Sequence, residues 1–336
     1  MTRQLALIPE PDPSAEVLGL DLTALAMTPA EVAALTREQR EARLDALIAE
    51  AEAIFAGSIR TQVTDEGKAV AGVVLLFSGG NDSTVLSHLM RRHATHVAHA
   101  NTGVGIEATR QYVRDTTAAW GLPLLERRAP QARDSYRAHV IRYGFPGRGM
   151  HPRMYQRLKE RALELVRNEL VGAAGGPRRA RVVFVAGRRR TESEKRATVP
   201  AVERKGSTVW SSPLVNWTKM DMNTYRLRCA REGDPVPVNE TADLIHMSGE
   251  CLCGCYAQEG ERAMLVAFAP DDMAVILALE AEIADRVDIP EYARTWGWSW
   301  DRALNDASRV RSARPRPGYL CGACAPDAGT VTTPLW

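Results

Sequence analysis

The stretch VVLLFSGGNDSTVLSHLM, Val73–Met90, decides the fold. An apolar run, Val73–Phe77, stops at Ser78-Gly79-Gly80-Asn81-Asp82-Ser83, and apolar residues then recur at helical spacing. An unbroken apolar run of this kind predicts a strand buried on both faces, and the later spacing predicts a helix near Thr84–Arg92. A strand that turns directly into a helix leaves unpaired N–H groups at the turn, at the positive end of the helix dipole. Glycine permits positive φ and a close approach of backbone to ligand. The turn therefore has the properties of a phosphate cradle: Gly79, Gly80 and Asn81 offer backbone, while Ser78 and Ser83 offer hydroxyls. Asp82 is a candidate to orient a metal ion or to fix the loop. The same letters also suit a tight turn capped by Ser and Asp. No Lys follows the glycines at Walker A spacing.

Outward from this turn, strands and helices alternate. Thr95–Asn101 reads as a second strand, Glu107–Trp120 as a helix stopped by Gly121, and LPLLER as a third strand. The segment RMYQRLKERALELVRNEL aligns Leu158, Ala162, Leu165, Val166 and Leu170 on one helical face, and Arg181–Gly187 is the next strand. Such alternation predicts an α/β fold with a doubly wound, mostly parallel sheet. Upstream, Thr28–Gly57 reads as one long helix, with Thr28 and Glu31 at capping-box spacing, Pro29 at the first helical position and Gly57 at the end. Downstream, Thr218–Glu232 and Pro270–Arg286 read as helices. The expected division is an N-terminal helical extension over 1–60, a nucleotide-binding domain over 61–250 and a Cys-containing region over 251–336.

Composition is that of a soluble globular protein, with 45% apolar and 25% charged residues. A formal net charge of +2 gives no global sign of a nucleic-acid binder. No apolar run has membrane-spanning length, and the N-terminus lacks a secretory apolar core, so the expectation is a cytoplasmic protein without membrane association. Six cysteines in 336 residues are too few for a disulfide scaffold. Cys251, Cys253 and Cys255 stand at alternate positions, where thiols on an extended segment face the same way. Cys321 and Cys324 form C-x-x-C, a half-site for zinc or an iron–sulfur cluster. Cys229, inside an expected helix, reads as core.

The SGGNDS loop resembles the PP-loop, SGGxDS, of the ATP pyrophosphatase superfamily, which grips the β- and γ-phosphates of ATP. Asn101-Thr102-Gly103 with Glu107-Ala108-Thr109 resembles the NTG…ET stretch of the sulfonucleotide (PAPS) reductase branch. Gly187, Arg189, Glu192 and Ser193 match its G-x-R-x-x-E-S motif, in which an Arg fork can meet phosphate or sulfate oxygens. Pro213, Leu214, Trp217, Thr218 and Asp221 match a further segment, read as structural: Thr218 and Asp221 cap a helix and Trp217 packs. Tyr143–Leu163 is more loosely similar to a stretch of phosphorothioation-linked and phage PAPS reductase-like proteins; its His151 and Lys159 read more safely as helix-start and solvated residues.

The resemblance, over about Val73–Cys255, implies an adenine nucleotide alpha hydrolase-like fold that binds an adenine nucleotide, ATP or PAPS, with Mg²⁺. It implies catalytic roles for Asp82, Arg189 and Glu192, and nucleotide contacts from Ser78 to Ser83, Asn101, Thr102, Gly103, Gly187 and Arg189. Relatives carry a 4Fe-4S cluster on comparable cysteines, although the spacing here differs and Zn²⁺ competes. The E-C-G-x-H stretch of thioredoxin-dependent reductases has no counterpart in the final GTVTTPLW. Two activities follow as expectations: adenylation by ATP with release of pyrophosphate, coupled to sulfur transfer from a donor protein, or reduction of PAPS or APS to sulfite. A nucleic-acid acceptor is an expected partner of the first. A non-catalytic nucleotide-binding subunit is the third expectation.

Overall fold

Strand β1 runs from Ala69 to Leu76 and carries the apolar run into the middle of a sheet. The computed structural model describes residues 12–130, 134–193, 196–257, 260–291, 294 and 296–300. Among them, β1, β2 (His96–Ala100), β3 (Leu124–Arg127), β4 (Ala180–Val185), β5 (Val202–Lys205) and β6 (Thr208–Ser211) form one sheet in the order β3-β2-β1-β4-β6-β5. β1 is parallel to β2 and to β4, β4 is parallel to β6, and the β5–β6 pair is antiparallel. All six residues of β4 are buried, as its apolar run requires. In β1 and just after it, Val74, Leu75 and Phe77 are likewise sealed from solvent, each stabilising the fold by roughly 2 kcal/mol.

From β1 the chain builds β2 and β3 on one side, then returns to lay β4 on the other. The strand order thus reverses between β1 and β4, and the crevice beyond the carboxyl ends of two such strands is where open α/β sheets bind ligands. The expected α/β, mostly parallel architecture is the observed one.

Some local expectations need correction. The upstream helix is two, Pro29–Ala34 and Arg37–Ile59, because Thr36 and Gln39 form a second capping box after the one made by Thr28 and Glu31. Gly57 does not end the helix. It lies inside it, where a Cβ would sit 2.7 Å from Leu18 Cδ2, so it serves packing. Leu165 is exposed while Leu163 is buried with Ala162 and Val166. At 100° per residue Leu165 stands about a sixth of a turn beyond Ala162, outside that face, and a π-helical turn at Gln156–Glu160 separates it from Leu158. The β5–β6 hairpin was not foreseen. Its first strand, VERK, exposes two charged residues and shows no apolar run, and Gly206 supplies the positive φ of the turn.

The chain divides into two compact units. The first comprises residues 1–99, 113–126 and 163–238; the second comprises 100–112, 127–162 and 239–336. The second has its own apolar core, including Val140, Phe145, Leu158, Leu265, Met273 and Ile276. No helix among the described residues is long and apolar enough to cross a membrane.

Candidate functional site

The helix Asn81–Met90 starts directly after the glycines. Gly79 has φ +76°, the left-handed conformation, and so turns the chain where a side chain would be strained. Gly80 occupies the N-cap and, having no side chain, makes no side-chain capping hydrogen bond. Two loop groups are already committed. The Ser83 hydroxyl donates to the Gly80 carbonyl at 2.9 Å and accepts from the Ser78 N–H at 3.3 Å. Ser83 therefore shapes the loop, whereas Ser78, half-buried, touches it through its own hydroxyl at 3.1 Å.

The three arginines after β4 have three different fates. Arg188 donates to Ser212 Oγ at 2.8 Å and lies 5.4 Å over the ring of Trp210. Arg190 pairs with Asp12 and donates to Asn216 Oδ1 at 3.1 Å. Both hold structure. Arg189, only 2% exposed, reaches the loop: its Nε and Nη2 donate to Asp82 Oδ2 at 2.8 and 2.7 Å, and Nη1 donates to Thr191 Oγ1 at 3.0 Å. Gly187 permits that approach, since a Cβ there would lie 3.2 Å from the Asp82 carbonyl oxygen.

Asp82 also receives Lys219 Nζ at 3.1 Å on its other oxygen. Burial would raise the Asp82 pKa, but the charges and hydrogen bonds of Arg189 and Lys219 outweigh it and hold the carboxyl below its usual range. With both oxygens taken by cations, Asp82 does not offer a ligand to Mg²⁺ as it stands. Glu192 is pushed upward by burial, and the Asp82 charge adds to this; its ion-pair partner is Arg196. The structure thus brings Asp82, Arg189 and Glu192 together around the loop and adds Lys219. Arg226 joins them through Nη2, which donates to Asn81 Oδ1 at 2.7 Å.

Lys219 and Arg226 escaped the sequence reading. Their helix, Lys219–Arg231, was foreseen, with Thr218 and Asp221 forming its capping box and Trp217 fully buried before it. The available signal was a Lys immediately after the cap, seven residues before an Arg.

Asn101, Thr102 and Gly103 belong to the second unit. Gly103, at φ +76°, donates its N–H to Asn101 Oδ1 at 2.9 Å. Thr102 is buried, its N–H bonded to Glu250 Oε1 at 2.9 Å and its hydroxyl to the Glu250 carbonyl at 2.5 Å. Glu107, at the start of the helix Glu107–Ala119, pairs with Arg110 at 2.6 Å, and the buried Thr109 bonds the Ser248 carbonyl.

Cys251 and Cys253 line a cavity of about 290 Å³ together with His151, Tyr155, Lys159 and Tyr256. Lys159, read from the sequence as solvated, thus stands at the thiols. The Cys251 thiol is pushed well up by its hydrogen bond to Cys253 and by burial, while Lys159 works in the opposite direction. For Cys253 the hydrogen bond with Cys251 lowers the pKa, but that with Cys255 and burial raise it, leaving it at about 12. Cys255 is buried with Sγ 3.9 Å from the Pro146 carbonyl oxygen. Cys229 is a buried free thiol in its helix, as expected. No group of three or more His, Cys, Asp or Glu among the described residues is arranged to hold a metal ion. The described thiols alone therefore do not fit a cluster or zinc. Cys321 and Cys324 lie outside the described residues.

Residues 72–232 match the family model described as the phosphoadenosine phosphosulfate reductase domain. Among solved structures, the chain is similar to a phosphoadenylyl-sulfate (PAPS) reductase from Candida auris in a phosphate complex, at 18% identity and a TM-score of 0.39, covering 63% of this chain and 93% of that one. No curated protein matches the chain. The matched segment, 72–232, takes in the SGGNDS loop and the strands β2 to β6 of the mostly parallel sheet.

Proposed function

We propose that the loop Ser78–Ser83 binds the anionic tail of an adenine nucleotide and that the chain is a PP-loop enzyme. One observation carries this reading: an uncapped helix start beyond the end of β1, beside Arg189, at the reversal of strand order between β1 and β4. With ATP, the loop amides face the departing pyrophosphate and meet its growing charge as an acceptor oxygen attacks the α-phosphorus. The adenylated acceptor then exchanges its AMP for sulfur brought by a donor protein. Catalysis is positional and electrostatic, so Asp82 acts by holding Arg189, and Glu192 by setting the local charge. The proposed acceptor is a nucleic acid, with the exposed Arg178 and Arg179 of GGPRRARV as its contacts.

The family match favours a second reading, reduction of PAPS or APS. A cysteine thiolate attacks the sulfonucleotide sulfur, the nucleotide leaves with the bonding pair, and an added thiol reductant frees sulfite from the sulfocysteine. Cys324 is the candidate nucleophile. The proposed 4Fe-4S cluster or zinc ion would draw on four of Cys251, Cys253, Cys255, Cys321 and Cys324, the first four where Cys324 is the nucleophile, and neither reaction above is routed through it.

Protein purified without oxygen and incubated with ATP or with PAPS plus a dithiol separates the readings. Pyrophosphate from ATP supports the first, and sulfite from PAPS the second. Gly79→Ala, which strains the loop, is expected to abolish either product. If neither nucleotide is turned over or bound, the enzyme assignment fails. Iron, zinc and labile-sulfide content of the same preparation tests the metal.

A further inference from the structure

We propose that Lys219 and Arg226, on the helix Lys219–Arg231, are the cations that bind the nucleotide's anionic tail, and that Asp82 holds the place of that anion until it arrives. The assignment rests on the phosphate-cradle reading of Ser78–Ser83 and adds to it two residues outside the motifs of the loop.

Three features carry it. The first is charge. Arg189, Lys219 and Arg226 surround the loop; Asp82 pairs with the first two, and the charge of Glu192 also acts on Arg189 and Lys219. Glu192 is itself paired with Arg196. The partner of Arg226 is the neutral side-chain amide of Asn81, and no carboxylate among the described residues pairs with Arg226. With Arg196 included, four cations against the two carboxylates Asp82 and Glu192 leave a positive surplus that an anion with several charges would match.

The second feature is the cost of the position. Lys219 is the first residue of its helix, directly after the Thr218 cap, where the helix dipole disfavours a cation. A residue that violates its local rule is one whose gain lies elsewhere. Asp82 supplies part of that gain at 3.1 Å, yet Lys219 remains 47% exposed, so the ammonium is accessible.

The third feature is geometry. Lys219 and Arg226 are two helical turns apart, about 10 Å along the axis. One reaches Asp82 and the other Asn81, which are adjacent residues in the first turn of the loop helix. The two cations therefore converge on the same uncapped helix start from one rigid element. A di- or triphosphate, or a phosphosulfate, spans oxygens enough to take both. Lys219 exchanges the Asp82 oxygen for a ligand oxygen at no net loss of ion pairs, and Arg226 gains the charged partner it lacks among the described residues.

Pyrophosphate is the probe, titrated calorimetrically into the full chain at low and at moderate salt. Lys219→Gln and Arg226→Met are each expected to weaken binding about tenfold and to flatten its salt dependence, and Lys219→Arg to restore most of it. Lys205→Ala, at the exposed hairpin tip, leaves binding unchanged. Matching thermal melts exclude unfolding, and Lys219→Met serves as a second replacement. If the wild type binds and Gly79→Ala abolishes binding, while Lys219→Gln and Arg226→Met bind as the wild type does, this assignment is overturned and the cradle stands. If the wild type binds neither pyrophosphate nor adenine nucleotides, the cradle reading itself falls.

Discussion

Glu50 shows how a single side chain couples pH to this fold. It is half-buried on the helix Arg37–Ile59, and Asn216 Nδ2 donates to its two oxygens at 3.0 and 3.1 Å. Burial raises its pKa to about 7, against the lowering effects of Asn216, Arg190 and Arg43. A carboxyl raised on folding binds its proton more tightly in the native state. Stability is therefore fullest below pH 4.5 for this group and falls as pH rises from there to about 7, by on the order of 2 kcal/mol. Glu50→Gln should remove that slope, so that urea midpoints measured between pH 5 and 8 differ from wild type increasingly toward pH 8. A variant with the wild-type slope would refute this account. The loop illustrates what single residues reveal. Gly79 and Gly80 were legible because only a bare backbone suits the turn. The inward commitment of Ser83 was not, because a hydroxyl five residues from Ser78 has no directional signature in sequence.

At the scale of the element, capping was the most readable signal. Thr28 with Glu31, and Thr218 with Asp221, form the reciprocal hydrogen bonds that their spacing implies. Thr218 Oγ1 accepts from Asp221 N–H at 3.3 Å and donates to Oδ2 at 2.8 Å. Thr218→Ala should cost about 1–2 kcal/mol, seen as a lower urea midpoint with an unchanged slope. The same variant should weaken pyrophosphate binding, because the cap fixes the turn from which Lys219 projects. The break between Pro29–Ala34 and Arg37–Ile59 was harder to foresee. Thr36 begins a cap of its own, and two caps cannot both start one continuous helix. The β5–β6 hairpin lacked an apolar run for a related reason: β5 pairs only with β6 and keeps Arg204 and Lys205 in water.

Within the first unit, a buried ion pair joins segments far apart in sequence. Arg43 Nε donates to Asp221 Oδ1 at 2.9 Å, with both side chains almost fully enclosed, and Nη1 donates to the Leu25 carbonyl at 2.9 Å. Arg43→Met leaves the Asp221 charge buried without its partner and should cost about 3–5 kcal/mol in chemical denaturation. Adding Asp221→Asn should recover part of that loss, whereas a strictly additive double variant would show that the pair is not coupled. By itself the sequence determined the alternation of strands and helices, the glycine turn and the caps, since these depend on periodicity and on neighbours within four residues. Tertiary structure alone decided that Arg189 of three arginines meets Asp82, that Lys219 and Arg226 converge on the loop, and that Lys159 lines the thiol cavity. The physical reason is range: hydrophobic periodicity is written along the chain, whereas an ion pair between residues more than a hundred positions apart exists only after the sheet has brought its strand ends together.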